Sequence, residues 1–286
     1  MPFETDFYGL PVSTTSRKVL VFLLDVVMSN PNGDPANGGA PRMDPVSQRG
    51  YINHTALKRK ARDYMQMVRD DVHYYSKGNN LTELRKNKTA KELCDLYPDL
   101  RLFGGGVGSG SPIKGPWLVT NARSIDKIDP MIIQGTCIAD QVRRRKNTDG
   151  EDESYMGANF PSRVVVPYGL YKFTAKFNPA LGKLSGITSD DMALFNEAVL
   201  QCWEHTRSTA RPEVNLRRAY FFDFESQRGT VPEHVLESMI NITSDGEPDS
   251  FDDYDIDLDL SRLPDNVRFF AWEDGIVAGR DALAAK

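Results

Sequence analysis

Residues 19–28 read VLVFLLDVVM, and residues 30–35, NPNGDP, follow almost directly. The apolar run is typical of a buried β-strand, and the Asn, Gly and Pro residues after it favour a turn-rich loop. A basic helix is predicted next, with LKRKAR at residues 57–62. A strand, a loop with free N–H groups and a cationic helix suit a phosphate backbone. An ordinary connection rich in turn formers fits the same pattern, and the local sequence leaves both interpretations open.

The basic helix is predicted from about His54 to Arg69. On a helical wheel Lys58, Arg62 and Arg69 form a narrow stripe beside an apolar face, so we expect them to line one edge of the packed helix. The residues expected on the buried face are Leu57, Ala61, Tyr64, Met65 and Val68.

The rest of the chain alternates between predicted strands and one further helix. Strands are predicted at 116–124, 131–142, 163–177 and 217–224, and a helix begins near Thr188 with a capping-box-like TSDD pattern. In the strand at 163–177 apolar and polar residues alternate, which predicts one buried and one exposed face. The order strand, helix, strand, strand, helix, strand predicts an α+β fold with a ferredoxin-like or RNA-recognition-motif core (β-α-β-β-α-β).

Three segments stand outside this core. Residues 71–115 are polar and glycine-rich and are interpreted as an insertion. Residues 143–162 are predicted to form the tip of a long projecting hairpin. A C-terminal extension at 245–286 includes a period-two strand pattern at 254–261. With these insertions, residues 1–286 are expected to form a single domain.

Composition narrows the class of protein. The net charge of −5 argues against a globally basic nucleic-acid binder, although basic clusters occur. No apolar run approaches the ~18 residues of a membrane helix. The N-terminus lacks a secretory pattern, and three distant cysteines fit a reducing compartment, so a cytoplasmic location without membrane contact is expected.

Catalytic patterns are largely missing from the sequence. The four histidines are not spaced as metal ligands, and no nucleophile-elbow context occurs. The glycines at 104–110 match neither phosphate-loop template. The alternating aspartates at 253–259 lack the glycine and glutamate of a calcium loop and fit an acidic edge strand better. No metal and no cofactor are therefore predicted.

The basic run at 143–146, RRRK, has two interpretations. It can be a solvated loop whose charges balance the acids that follow it. It can also be a hairpin tip that reaches along an RNA backbone, because guanidinium groups suit phosphates.

Several ordered segments resemble the backbone subunit of a class 1 CRISPR surveillance complex (Cascade), namely CRISPR-associated family seven, and are most similar to subtype I-C. The resemblance runs from about residue 18 to 275. The segments that carry it are NPNGDP (30–35), GAPRMDP (39–45), LKRKAR (57–62), DLRLFG (99–104), ARSI (122–125), VPYGLY (166–171) and EHTRSTAR (204–211).

This resemblance implies an RNA-recognition-motif core with finger-like (71–115) and thumb-like (143–162) insertions. It implies a non-catalytic subunit whose copies stack along a CRISPR guide RNA and hold it for pairing with target DNA in antiviral defence. The implied partners are the guide, further copies of the chain, other Cascade subunits and a recruited helicase-nuclease. The residues expected to bind RNA are Asn30, Asn32, Arg42, Lys58, Arg59, Arg62, Arg123, Ser124, Arg143, Arg144, Arg145 and Arg211.

Two alternatives are kept. Type III relatives of this family cleave target RNA with an aspartate in the loop before the basic helix, and Asp44 resembles that position. A metal-dependent endonuclease is therefore one alternative. A solitary single-stranded RNA binder is the other, but it leaves the insertions without a role.

Overall fold

The structure is a computed structural model that describes residues 4–69, 73–76, 78–106, 112–134, 141–146, 152–157 and 162–280. Its strands are β1 (Lys18–Ser29), β2 (Arg49–Ile52), β3 (Gly104–Gly105), β4 (Ile113–Lys114), β5 (Trp117–Val119), β6 (Ala122–Lys127), β7 (Met131–Gln134), β8 (Gln141–Lys146), β9 (Asp152–Gly157), β10 (Ser162–Phe177), β11 (Glu213–Phe224), β12 (Ile240–Ser244), β13 (Tyr254–Leu258), β14 (Val267–Glu273) and β15 (Ile276–Gly279). Its α-helices are α1 (His54–Val68), α2 (Leu81–Arg85), α3 (Ala90–Leu96), α4 (Pro98–Phe103), α5 (Pro179–Ser185), α6 (Ser189–His205) and α7 (Glu233–Glu237).

One large antiparallel sheet organises the chain, in the order β15-β14-β11-β1-β10-β6-β2, and β5 and β7 also pair with β10. The apolar run at 19–28 explains why β1 lies near the middle. Val19, Val21 and Leu23 are buried on one face of the sheet, and the residues between them are buried on the other. A strand that is apolar on both faces requires cover on both sides.

Helices α1 and α6 cover one face of the sheet. The predicted apolar residues of α1 are buried except Val68, the last residue of the helix, which is 42% exposed. The capping box of α6 is confirmed, because Thr188 and Asp191 exchange side-chain to backbone hydrogen bonds. Its apolar stripe is also confirmed, with Met192, Phe195, Val199, Cys202 and Trp203 all buried.

The second face of the sheet is covered by the β12–β13 hairpin. The pattern at 254–261 predicted a strand at β13, but β12 was not predicted. Ile240 and Tyr254 of the hairpin join a buried cluster with Leu170 of β10. The expectation of an exposed face along β10 is therefore wrong in part, and Thr174 is buried. Within β13, Asp255 and Asp257 point outward and are exposed, in agreement with an acidic edge strand.

The strand expected at 116–124 is split into β5 and β6. Of the strand expected at 131–142, the described residues belong to β7 and β8, and 135–140 lie outside the described residues. Strand β7 pairs with β10, whereas β8 pairs with β9 in a separate hairpin. No helix in the described part of the chain is long and apolar enough to cross a membrane.

Candidate nucleic-acid interface

Several predicted segments meet at one end of the sheet. Strand β1 ends there at Ser29, which lies opposite Val166, and its neighbour Val27 lies opposite Glu213 at the start of β11. The loop after β1, the start of β10 and the turn between α6 and β11 are consequently neighbours. The Asn30 N–H donates to the Ala210 carbonyl at 2.8 Å and joins the loop to the turn.

The loop after β1 is folded on itself. The Asn30 side chain donates to the Gly39 carbonyl at 2.7 Å, and a Cβ atom on Gly33 would lie 2.7 Å from that same oxygen. The N–H groups of Asp34 and Gly39 donate to the carbonyls of Ala40 and Asp34. These two N–H groups already have partners within the loop and are not open donors, which favours the interpretation as a turn-rich connection.

Asn32 and Arg42 stabilise the same loop. The Asn32 side-chain oxygen accepts from the Asn53 N–H at 2.9 Å, next to the start of α1, where Asn53 caps the helix. The Arg42 guanidinium lies 3.5 Å from the Asp34 carboxylate, while its Nε is buried without an acceptor among the described residues. Both side chains thus position the loop against the helix.

The basic stripe of α1 packs against the insertion and is largely not open to solvent. Arg62 donates from Nε to the Asp99 carboxylate at 3.2 Å and lies 4.9 Å from the ring centres of Tyr75 and Phe103. Lys58 lies 5.5 Å from the Phe103 ring centre, and burial lowers the pKa of Lys58 to about 8. Lys58 and Arg62 are therefore engaged by contacts within the chain, and their RNA contacts stay a prediction.

Arg59 is also engaged within the chain. It forms an ion pair with Asp63 one turn along the helix and donates to the Tyr75 carbonyl at 2.7 Å. Hence all three predicted cations of α1 have partners within the chain.

The DLRLFG segment supplies the partners of this stripe. Asp99 is fully buried and also accepts the N–H groups of Tyr74 and Tyr75. Two residues on, Arg101 makes a two-pronged ion pair with Asp191 at the start of α6, at 2.7 and 2.8 Å. The segment therefore holds the insertion against both α1 and α6.

Arg123 and Ser124, neighbours on β6, differ in exposure. The Arg123 side chain is largely exposed and donates to the Ser47 hydroxyl at 3.1 Å. Ser124 is buried, and its hydroxyl accepts from the Gly50 N–H at 2.9 Å and donates to the Asp126 carbonyl. Ser124 is therefore placed to fix β2 against β6.

Asp44 lies in a tight turn beside Arg123. Its carboxylate accepts from the Ser47 hydroxyl at 2.6 Å and the Val46 N–H at 3.1 Å, and these hydrogen bonds lower the pKa of Asp44. In the ranges that the structure covers, no group of three His, Cys, Asp or Glu side chains is placed to hold a metal ion.

A set of cations without ion-pair partners lies where the loop, β10 and the turn meet. We call it the cationic edge, and it comprises Lys60, Arg163, Arg207 and Arg211. Lys60 donates to the Thr206 hydroxyl at 2.8 Å, and burial lowers its pKa, with a further contribution from the Arg211 charge. The Arg211 Nε is buried without an acceptor in the described part of the chain.

The two remaining cations of this edge are exposed and contact neutral groups. Arg163 donates to the Thr209 carbonyl at 2.8 Å, and Arg207 to the Asn215 side-chain oxygen at 3.3 Å. Within the described residues, none of the four makes an ion pair with a carboxylate. Clustered positive charge without counter-charge favours a bound anion.

Of the cationic edge, the sequence predicted only Arg211. Arg207 lies in the EHTRSTAR segment and Lys60 in the LKRKAR segment, so both belong to segments that resemble the family. The sequence does not show which cations have acidic partners in the folded chain.

Arg143, Arg144 and Arg145 lie on β8, opposite Tyr155, Ser154 and Glu153 of β9. The tip at 147–151 lies outside the described residues. The predicted RNA contacts of these arginines stay a prediction.

Comparison with known proteins gives the family. The family model described as "CRISPR-associated protein Cas7" matches residues 16–259, most of the chain. The chain belongs to the CRISPR-associated protein Cas7 family. The match includes the loop after β1, both core helices and every residue of the cationic edge.

A curated relative and three solved structures are similar to this Cas7-family chain. A CRISPR-associated protein Cas7 of Haloferax volcanii is 40% identical over 85 residues, which are 30% of this chain and 24% of the relative, so the match spans about a quarter of that protein. A chain of a "CRISPR RNA-guided surveillance complex, pre-nicking" has a TM-score of 0.47 at 12% identity and covers 75% of this chain and 80% of its own length. A chain of a "CRISPR RNA-guided surveillance complex" has a TM-score of 0.44 at 15% identity, and the match covers 75% of this chain and 72% of that one. A chain of a type III-B Cmr-beta complex bound to cognate target RNA has a TM-score of 0.41 at 10% identity, and the match covers 71% of this chain and 60% of that one.

Proposed function

We propose that this Cas7-family chain is a non-catalytic backbone subunit that binds a CRISPR guide RNA. In this proposal, copies stack along the guide and hold it for pairing with target DNA in a cytoplasmic, type I Cascade-like complex, most like subtype I-C. Other Cascade subunits and a recruited helicase-nuclease complete the set of partners. Family membership supports the general role.

The cationic edge is the observation that carries the proposal. Its four cations have only neutral contacts in the described structure, whereas the predicted cations Arg59 and Arg62 have acidic partners. A phosphate backbone supplies the missing counter-charge at regular spacing and without regard to sequence. A guide that must accept any spacer requires such sequence-independent binding.

We infer that the core is ferredoxin-like. Four strands, β11, β1, β10 and β6, lie side by side in that order, each antiparallel to its neighbour. Helix α1 lies between β1 and the β5–β6 region in the chain, and α6 lies between β10 and β11. This arrangement supports the β-α-β-β-α-β order expected from the sequence. In this view, residues 71–115 are the finger and β8–β9 the thumb.

The proposed RNA contacts follow from the geometry. Direct contacts are assigned to the cationic edge, with the exposed Arg123 and the β8 arginines as further candidates. Asn30, Asn32 and Arg42 shape the loop that borders this edge. Arg62 pairs with the buried Asp99 and Ser124 is buried, so both are assigned structural roles instead.

Purification with the genomic neighbours, followed by sequencing of bound RNA, tests the proposal. We expect RNA of uniform length, with most of it lost from a Lys60→Ala and Arg211→Ala double variant. A matched control, Lys183→Ala with Arg228→Ala, removes the same charge from exposed sites elsewhere and should retain the RNA. Heterogeneous RNA in all three preparations would support a solitary RNA binder instead.

The alternative of an Asp44-dependent endonuclease has its own test. The ionised Asp44 carboxylate favours it, but Ser47 and Val46 already occupy its oxygens. We expect the assembled complex to leave complementary RNA intact with magnesium or manganese. Cleavage that Asp44→Ala abolishes would establish the endonuclease.

A further inference from the structure

Strand β11 has a free edge. Its residues 218–224 pair with β14. Among the described strands, residues 213–216 pair only with β1, and Arg217 lies in a bulge where its carbonyl accepts from the Arg218 guanidinium at 2.9 Å. In an antiparallel ladder alternate residues direct their N–H and C=O groups away from the existing neighbour. Such an unpaired edge is a template for another strand.

A cleft of about 540 Å³ lies against this edge. Gln201 and Glu204 of α6 form one wall, Trp203 and Trp272 are among its apolar residues, and the turn at 274–275 closes one end. Because β14 ends at that turn and the chain continues into β15 on the far side of β14, the cleft occupies the place of a strand that would continue the ladder along β11.

One residue of the cleft lining carries a buried donor without an acceptor. Trp272 is only 8% exposed, and its indole N–H has no hydrogen-bond partner within the described ranges. By contrast, the Trp203 indole N–H donates to the Val199 carbonyl at 2.8 Å. Buried indole N–H groups usually find an acceptor, and a backbone carbonyl of an added strand would provide one.

The rim of the cleft is acidic. Glu204 is exposed and forms no ion pair in the described structure, and Asp274 is exposed with only Arg218 nearby, at 3.5 Å. The remaining lining charge, Arg217, is neutralised by Asp25 at 2.6 Å. A negative rim disfavours a nucleic acid and favours a basic side chain.

We propose that residues 213–217 bind an extended segment of a partner protein as an additional β-strand, with a lysine or arginine of that segment at the acidic rim. Main-chain hydrogen bonds would give affinity, and the rim and Trp272 would select the sequence. This surface adjoins the cationic edge, because Arg207 donates to Asn215 of the cleft lining at 3.3 Å, but it concerns a protein partner. It therefore goes beyond RNA binding.

Hydrogen exchange on the complex purified with its genomic neighbours tests this proposal. Amides of 213–217 should exchange at least ten-fold more slowly in the full complex than in the chain bound to RNA alone. Equal exchange in both would overturn the proposal. Protection already present when only this chain and RNA are combined would also overturn it, because the occupant would then be a second copy.

Two variants give an independent readout of partner affinity. Trp272→Phe should weaken the partner about five-fold through loss of one hydrogen bond. Trp117→Phe is the matched control, since its buried indole N–H also lacks an acceptor in the described structure but lies away from the cleft. Equal effects of these two would contradict the assignment.

The double variant Glu204→Gln and Asp274→Asn changes only exposed side chains and should weaken the partner about five-fold while guide RNA stays bound. Unchanged partner affinity would contradict the proposed lysine or arginine of the partner at the acidic rim. Loss of RNA from every preparation, the unaltered chain included, would instead count against the RNA-binding role.

Discussion

Replacing Arg62 by alanine should destabilise the fold before it affects RNA binding. The Arg62 side chain is 13% exposed and donates to the buried carboxylate of Asp99 at 3.2 Å. It also stacks between Tyr75 and Phe103. The variant would leave a carboxylate in the interior without its cation.

The expected cost follows from these contacts. Removing one partner of a buried ion pair costs roughly 3–5 kcal/mol. Asp99 keeps two backbone N–H donors, which reduces that cost, while the lost cation–π contacts add about 0.5–1 kcal/mol each. We therefore expect a loss of about 3 kcal/mol, or roughly 6–10 °C in Tm for a chain of this size.

Thermal unfolding followed by circular dichroism measures the effect, with Arg59→Ala as the control on the same helix. The Arg59 and Asp63 side chains are each 36% exposed, so that pair should contribute no more than about 1 kcal/mol. The Asp99→Asn variant combined with Arg62→Ala should lose less than the sum of the single losses, because the two residues are coupled. An Arg62→Ala protein with an unchanged Tm but weakened RNA binding would refute this reasoning and restore Arg62 as a phosphate contact.

Three further outcomes are expected. Burial lowers the pKa of Lys58 from 10.5 to about 8, so between these pH values the unfolded chain binds more protons than the folded one, and the free energy of unfolding should rise with pH from about 8 to 10.5. The Lys58→Met variant should remove this rise in urea titrations at several pH values. A rise that persists in the variant would contradict the assignment to Lys58. Ser124→Ala should cost about 1–3 kcal/mol by leaving the buried Gly50 N–H unpaired, with RNA affinity unchanged; a stable variant with weaker RNA binding would make Ser124 a direct contact. Replacing 147–151 by Asn-Gly fits the direct pairing of Lys146 with Asp152 and should preserve a soluble monomer but impair stacking on guide RNA in native mass spectrometry; evenly loaded complexes would show a solvated tip.

Periodicity and capping patterns were enough to predict the main elements of the fold. The apolar run at 19–28 became the doubly buried β1, and the TSDD pattern at 188–191 became the cap of α6. Both depend on short-range physics that the sequence displays directly. The short strand β12, INITS, was not predicted, because five residues with weak alternation of apolar and polar side chains do not distinguish a strand from a loop. In the structure it is stabilised by pairing with β13.

The candidate site was harder to predict, because a charged side chain does not reveal its partner. Arg62 and Lys60 are two residues apart in the same basic run, yet one faces Asp99 and the other Thr206. That difference arises from contacts 37 and 146 residues away in sequence. Local patterns predicted that the helix is basic, but they could not distinguish cations that have acidic partners from cations that have none.

The salt dependence of guide-RNA binding tests the central claim most directly. Each phosphate contact on single-stranded nucleic acid contributes about 0.7 to the slope of log K against log salt concentration. The Lys60→Ala and Arg211→Ala double variant should therefore lower the slope by about 1.4, while Lys183→Ala with Arg228→Ala should leave it unchanged. An unchanged slope for the first variant would show that the cationic edge does not bind the RNA backbone.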